Sequence, residues 1–153
     1  MFIQRLCLAL DKVNVPYAIV GGYAVALHGV IRGTVDVDIA IEWSLTNLQN
    51  TENAFKGMGL VSLIPITAEM VFHFREEYIQ NRNLIAWNFY DPSNPLNQVD
   101  VVINYDLKGA HNTKKIQTSL GTISILSLSE LIKMKEASGR SQDLEDVKAL
   151  KNL

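Results

Sequence analysis

Apolar residues recur at helical spacing from the start of the chain. Ile3, Leu6, Cys7, Leu10 and Val13 form one stripe, which predicts an N-terminal helix ended by Asn14 and Pro16. The period then changes. Tyr17 to Val20 is continuously apolar, as in a strand covered on both faces, and Gly21-Gly22 turns it into a short helix running to about Leu27. Residues 35–42 predict a second apolar strand that carries Asp36 and Asp38, and a polar helix near 46–58 follows, closed by Gly57 and Gly59. Further along, 69–74 alternates with Phe72 and Phe74 on one face. Residues 84–90 alternate with Ile85, Trp87 and Phe89 on one face, so both stretches predict half-buried strands. The turn at 91–95 lets the Trp87 strand pair antiparallel with the apolar run 98–103, placing Asp100 just inside that loop. Ser127 and Glu130 have capping-box spacing at the start of a C-terminal helix; Gly139 breaks it, and Asp143 begins the last one. Helices and strands intermingle without repeats, which describes an α+β fold.

The acids in the apolar strands change the picture. Side chains of a strand alternate, so Asp36 and Asp38 project to one face with Cα atoms about 6.6 Å apart, while Val35, Val37 and Ile39 point into the core. Two carboxylates in a Val and Ile run are costly to bury without a cation. Either they are solvated acids at a strand end, or they share one Mg²⁺ or bridge two ions about 4 Å apart. Asp100 poses the same choice between an exposed strand start and a third carboxylate of one cluster, open to acting as a general base, should its strand lie beside the first. Gly21-Gly22 is either a tight turn or an approach for an anion. It is neither a Walker loop nor a G-x-G-x-x-G fingerprint.

Taken in order, the Gly-Gly turn, the Asp-x-Asp strand and the later apolar-Asp-apolar strand resemble the polymerase-beta-type nucleotidyltransferase superfamily. Gly21-Gly22 together with Arg32-Gly33-Thr34-Val35-Asp36-Val37-Asp38-Ile39 is especially similar to the nucleotidyltransferase proteins of abortive-infection toxin–antitoxin systems. The tail resembles that group's C-terminal signature through Lys135, Arg140, Asp143, Asp146 and Leu150. The resemblance implies a nucleotidyltransferase fold, a mixed β-sheet flanked by α-helices, in one domain over 1–153 with C-terminal helices about 127–153.

It also implies roles. Gly21 and Gly22 would contact a nucleoside triphosphate, Asp36 and Asp38 would bind one or two Mg²⁺ ions, and Asp100 would complete the triad. Lys135 would reach the phosphates, against the plainer reading of a solvated helix face. Arg32 and Thr34 would support nucleotide binding from the loop before the strand; otherwise Arg32 pairs with Asp36 or a surface acid, and Thr34 reflects strand propensity. The implied reaction is transfer of a nucleoside monophosphate from an NTP to an acceptor hydroxyl on tRNA, protein or a small molecule such as an antibiotic. The alternative is a non-catalytic nucleotide- or partner-binding member of a toxin–antitoxin pair. Larger relatives carry a further helical region for the acceptor, so here another subunit would supply that site or the acceptor is small.

Bulk properties narrow the partners. With 153 residues, 48% hydrophobic and 20% charged, the chain suits one soluble folded unit. A net charge of -2 gives no general attraction to nucleic acid, leaving HNTKK at 111–115, with Lys108 nearby, as the only local basic run, expected as a solvated loop. Cys7 is the only cysteine, which excludes an intrachain disulfide and suits a reducing cytoplasm. No stretch of about 18 apolar residues occurs, so neither a membrane span nor export is expected. His28 reads as a helix C-terminal residue and His73 as a strand residue, neither with a metal-ligand partner at useful spacing. Asp143 and Asp146 read as organisers of helix contacts with Arg140.

Overall fold

The computed structural model describes residues 1–34 and 36–153; Val35, expected to face the core, lies outside them. Helix α1 (Phe2–Lys12) buries Ile3, Leu6, Cys7 and Leu10, the stripe read from the sequence. Strand β1 (Tyr17–Val20) is buried at every position and passes directly into α2 (Gly21–Leu27). Strand β2 (Val37–Ile41) returns antiparallel to β1. Then come α3 (Leu45–Gly57), β3 (Val61–Ser62), α4 (Ala68–His73), α5 (Arg75–Asn81), and the hairpin of β4 (Ala86–Asp91) with β5 (Asn94–Val102). A 3-10 turn (Ala110–Asn112), the hairpin of β6 (Thr113–Thr118) with β7 (Gly121–Leu126), and the helix pair α6 (Leu128–Ser138) and α7 (Ser141–Lys151) complete the described residues.

Among the described residues the strands form one seven-stranded mixed sheet in the order β3-β4-β5-β2-β1-β7-β6. β5 lies parallel to β2 and β7 parallel to β1; the remaining neighbours are antiparallel. Val37 and Ile39 of β2, Trp87 and Phe89 of β4 and Val99 and Val101 of β5 share one face and are essentially inaccessible. Helix α3 covers that face through Phe55, whose ring meets Phe89 edge-on at 5.2 Å, and the Trp87 ring lies tilted against Phe89 with centroids 4.6 Å apart. Burying each such side chain contributes about 1.5–3 kcal/mol. The Trp87 indole N–H donates to Ser62 Oγ at 3.1 Å, so its one polar atom is satisfied and pins β3 to β4. His28 Nε2 donates to the Leu126 carbonyl at 2.8 Å, tying the end of α2 to β7. Among the described residues no helix is long and apolar enough to cross a membrane.

Four expectations need correction. Within the stretch 69–74, residues 69–73 are helical and Phe74 caps the helix, so no strand forms there. Thr67 Oγ1 accepts from Met70 N–H at 3.3 Å as the N-cap, Glu69 lies in the first turn, and Ala68 and Val71 bury at i, i+3 spacing, placing His73 in the last turn. Ile85 precedes β4 and is 42% exposed rather than sharing the Trp87 face. The loop expected at 91–95 is a tight turn: Asp91 Oδ1 accepts from both Ser93 N–H (2.9 Å) and Ser93 Oγ (2.7 Å), so β5 already begins at Asn94 and Asp100 lies well inside the strand. HNTKK is not a loop but a 3-10 turn running into edge strand β6.

Candidate active site

Register builds the site. Val20 stands opposite Asp38, Asp38 opposite Asp100, and Asp100 opposite Asn88, which makes a transverse row on the sheet face turned away from Trp87 and Phe89. Asp38 and Asp100 are therefore lateral neighbours at the ~4.8 Å strand spacing. Burial, then the charge of Asp100 and a hydrogen bond to it, and then Asp36, push the Asp38 carboxyl up to about 7, with Lys135 pulling the other way. Without a cation the Asp38–Asp100 pair thus retains a proton near neutrality. Asn88 Nδ2 donates to Asp100 Oδ1 at 2.8 Å and to Gln98 Oε1 at 3.3 Å; Asn88 Oδ1 is buried with no partner among the described residues. Asp36 does not lie in β2 but in the bend before it; partial desolvation and Asp100 raise its carboxyl as well.

Both glycines of the turn are spatially required, for different reasons. Gly21 has φ +66°, a conformation costing other residues about 1–2 kcal/mol, and a Cβ there would overlap Asp38 Oδ2. Gly22 is buried under the chain itself: a Cβ there would overlap Arg32 Nη1 and crowd Thr34 Oγ1. Arg32 does not pair with Asp36. Its Nε donates to Asp146 Oδ1 at 2.9 Å, while Thr34 Oγ1 donates to the Asp36 carbonyl at 3.3 Å, ahead of the strand rather than within it.

The C-terminal helices supply the opposite wall. Ser127 Oγ accepts from Glu130 N–H at 3.4 Å at the start of α6, and Gly139 ends it with φ 66°. Lys135 is not on a solvated face. It is 7% exposed, with Nζ 2.9 Å from Asp146 Oδ2 and 3.3 Å from Asp143 Oδ1. Arg140 begins α7, and its Nε and backbone N–H both donate to Asp143 Oδ2, at 2.9 and 3.2 Å. Burial alone would raise Asp143, but Arg140, Ser138 and Lys135 outweigh it and hold the carboxyl at about 2. Asp146 is lowered in the same way by Lys135, Gln142 and Arg32 against its burial. One chain of ion pairs thus runs Arg32–Asp146–Lys135–Asp143–Arg140, joining the loop before β2 to both terminal helices.

Between the sheet and α6 lies a cleft of about 560 Å³, a size suited to a nucleotide. Gly21, Asp38 and Asp100 close one end, with Lys135, Arg140 and Asp143 beside them. Four of the residues expected from the sequence therefore meet in the cleft: Gly21, Asp38, Asp100 and Lys135. Asp36 reaches it only through its charge, and Gly22, Arg32 and Thr34 sit behind it as support. Asn88 was not expected; its signal was its place between Trp87 and Phe89, on the polar face of β4. The sequence marks Arg140 only as the partner of Asp143 and Asp146 in organising the helices, yet its side chain is 73% exposed at the cleft. Among the described residues no three acidic, imidazole or thiol groups stand close enough, as placed, to enclose one metal ion.

No protein-family profile and no characterised protein sequence matches the chain. Solved structures do. An antigenic nucleotidyltransferase-like protein from Paracoccidioides brasiliensis superposes with TM-score 0.59 at 20% identity, covering 97% of this chain and 72% of that one. The antibiotic-resistance factor ANT(2'')-Ia gives TM-score 0.60 at 14% identity over 97% of this chain and 80% of its own, and has also been solved with adenylyl-2''-tobramycin. The lincosamide antibiotic adenylyltransferase LnuA, solved with lincomycin bound, gives 0.57 at 14% identity over 92% and 89%. The mixed sheet flanked by helices is therefore a nucleotidyltransferase fold.

Proposed function

We propose that this chain is a Mg²⁺-dependent nucleotidyltransferase that transfers a nucleoside monophosphate from an NTP to an acceptor hydroxyl. The observation that carries this reading is the in-register Asp38–Asp100 pair, two half-buried carboxylates set side by side, with the Asp38 carboxyl raised by burial and by Asp100 where a cation would neutralise it. The donor set fits Mg²⁺. Its atoms are hard carboxylate oxygens, and Mg²⁺ commonly takes only one or two carboxylates, completing its shell with water and substrate phosphates. Asp38 and Asp100 would hold it, with Asp36 as the third acid of the sequence signature. When bound, the cation would neutralise phosphate charge and polarise the phosphoryl oxygens.

The chain's own residues account for the remaining chemistry. Asn88 orients Asp100 through Oδ1, and the Asp100 carboxylate, once released from its hydrogen bond with Asp38, is the base that takes the proton of the attacking hydroxyl. That hydroxyl oxygen forms a bond to the α-phosphorus, the bond to the bridging oxygen breaks, and pyrophosphate leaves. Arg140, exposed at the cleft and anchored on Asp143, is placed to meet the charge of the leaving group. Lys135 spends its charge on Asp143 and Asp146, so its role is to position the α6 wall.

Titration with each NTP, with and without Mg²⁺, in wild type and Asp38→Asn, tests the reading; metal-dependent binding lost in the variant is the expected result. Transfer that persists in chelator would refute it. Binding without turnover on any tRNA, protein or aminoglycoside and lincosamide panel would instead support the non-catalytic member of a toxin–antitoxin pair suggested by the sequence motifs.

A further inference from the structure

Two segments leave the acidic end of the cleft in the same direction. Strand β5 runs from Asp100 through Val102, after which the chain reaches Tyr105; helix α6, followed back from Lys135, presents Leu131 and Glu130. The helical rise sets Glu130 about 7.5 Å from Lys135 and about 12 Å from Ser138 along the axis. That span matches the separation between a nucleotide's phosphates and the far edge of its base. Between them, Val102, Leu131 and Met134 supply apolar surface for a flat base, with Asn104 and Lys133 as the polar residues beside it.

At the far end the lining turns polar again. Tyr105 O–H donates to Glu130 Oε2 at 3.5 Å, while Lys133 Nζ stands 3.8 Å from Oε1 at the mouth. The Glu130 side chain is 26% exposed, so the carboxylate is sheltered yet reachable. Burial and the Glu130 charge push the Tyr105 phenol up, keeping it a donor to that carboxylate.

We propose that Glu130, oriented by Tyr105, reads the base of the donor nucleotide and favours guanine; this rests on the nucleotidyl-transfer reading of the site. An ionised carboxylate only accepts hydrogen bonds. Guanine presents two adjacent donors, N1–H and the 2-amino group, whereas adenine sets an acceptor nitrogen beside its amino group and leaves one carboxylate oxygen facing a lone pair. A mismatch of this kind costs about fivefold or more in affinity.

The test titrates the full chain in Mg²⁺ with GTP, ATP, CTP and UTP, and with inorganic triphosphate as the base-free probe. Wild type should bind GTP at least about fivefold tighter than ATP. Glu130→Gln should reverse that order, because an amide offers adenine one donor and one acceptor. Tyr105→Phe should narrow the preference while triphosphate affinity stays unchanged. Equal affinities in wild type, or a Glu130→Gln protein that binds triphosphate normally and keeps the wild-type order, would overturn the base assignment alone. No binding of any nucleotide or of triphosphate would overturn it together with the underlying reading.

Discussion

Asp38→Asn should stabilise the metal-free protein. The Asp38 carboxyl is pushed from 3.8 up to about 7 by burial and by Asp100. A carboxyl raised in the folded state keeps its full contribution to stability below its unfolded value and loses it as pH rises through the folded one. The relevant window is therefore pH 4 to 7. A displacement of about three units corresponds to about 4 kcal/mol at most. Asparagine removes that cost and can donate to Asp100. Urea unfolding in chelator at pH 5 and pH 8 reads the effect directly. Wild type should be less stable at pH 8 than at pH 5 by about 2.5 kcal/mol, the part of that total which falls between these two pH values, and the variant should be nearly flat between the two. Asp143, held at about 2, contributes above pH 4 and loses that contribution as pH falls toward 2, so it does not interfere in the window. Mg²⁺ at pH 8 should restore wild type and leave the variant unmoved. A wild type equally stable at both pH values in chelator, or a variant less stable than wild type at pH 8, would refute the argument.

Lys135→Met strands Asp143 and Asp146 beneath the surface with one partner fewer each, and should lower unfolding stability by about 3–5 kcal/mol; a loss under about 1 kcal/mol would show the network to be weak. Gly21→Ala should cost about 1–2 kcal/mol for its positive φ and abolish Mg²⁺-dependent NTP binding by driving Asp38 aside, so normal binding by a folded variant would contradict the placement of the turn. Burial raises the Cys7 thiol to about 11, and the side chain is 1% exposed, so a maleimide at pH 8 should label it only in denaturant; rapid labelling of the native protein would place α1 differently.

The sequence made the centre of this fold legible because its signals there are local. Continuous apolarity marks β1, glycine marks the turn, and period two places Asp38 on the face opposite Ile39. From the sequence, convergence of the acids depends on the Asp100 strand lying beside the Asp38 strand, and the register places β5 beside β2 with Asp38 opposite Asp100. The failures share a physical cause. Residues 69–74 carry both a period-two and a period-three reading, and the Thr67 cap with burial of Ala68 and Val71 decides for the helix. Arg32 has several acids within sequence reach, but its partner Asp146 is brought to it only by the docking of α7. Lys135 beside Lys133 looks solvated in one dimension; the two point to different sides of α6, 7% exposed for Lys135 and 72% for the Lys133 side chain.

The charge network also explains why the two halves of the cleft belong together although more than 90 residues separate Asp38 from Lys135. Arg32 from the loop, with Lys135 and Arg140 of the helical wall, meets Asp143 and Asp146, so the ion-pair network as a whole keeps one positive charge in surplus, and Lys135 and Arg140 also act on Asp38. Across the cleft the sheet presents Asp38 and Asp100, which repel one another and are stable together only as a protonated pair or around a cation. On the proposed reading, a Mg²⁺–triphosphate would complement both surfaces at once, neutralising the acids of the sheet and meeting the charge of Arg140. Because Arg32 lies over Gly22 and also grips Asp146, closing that wall fixes the turn that sets Gly21 against Asp38. The terminal helices are thus a condition for the acidic row to have its geometry, and not an accessory to a completed sheet.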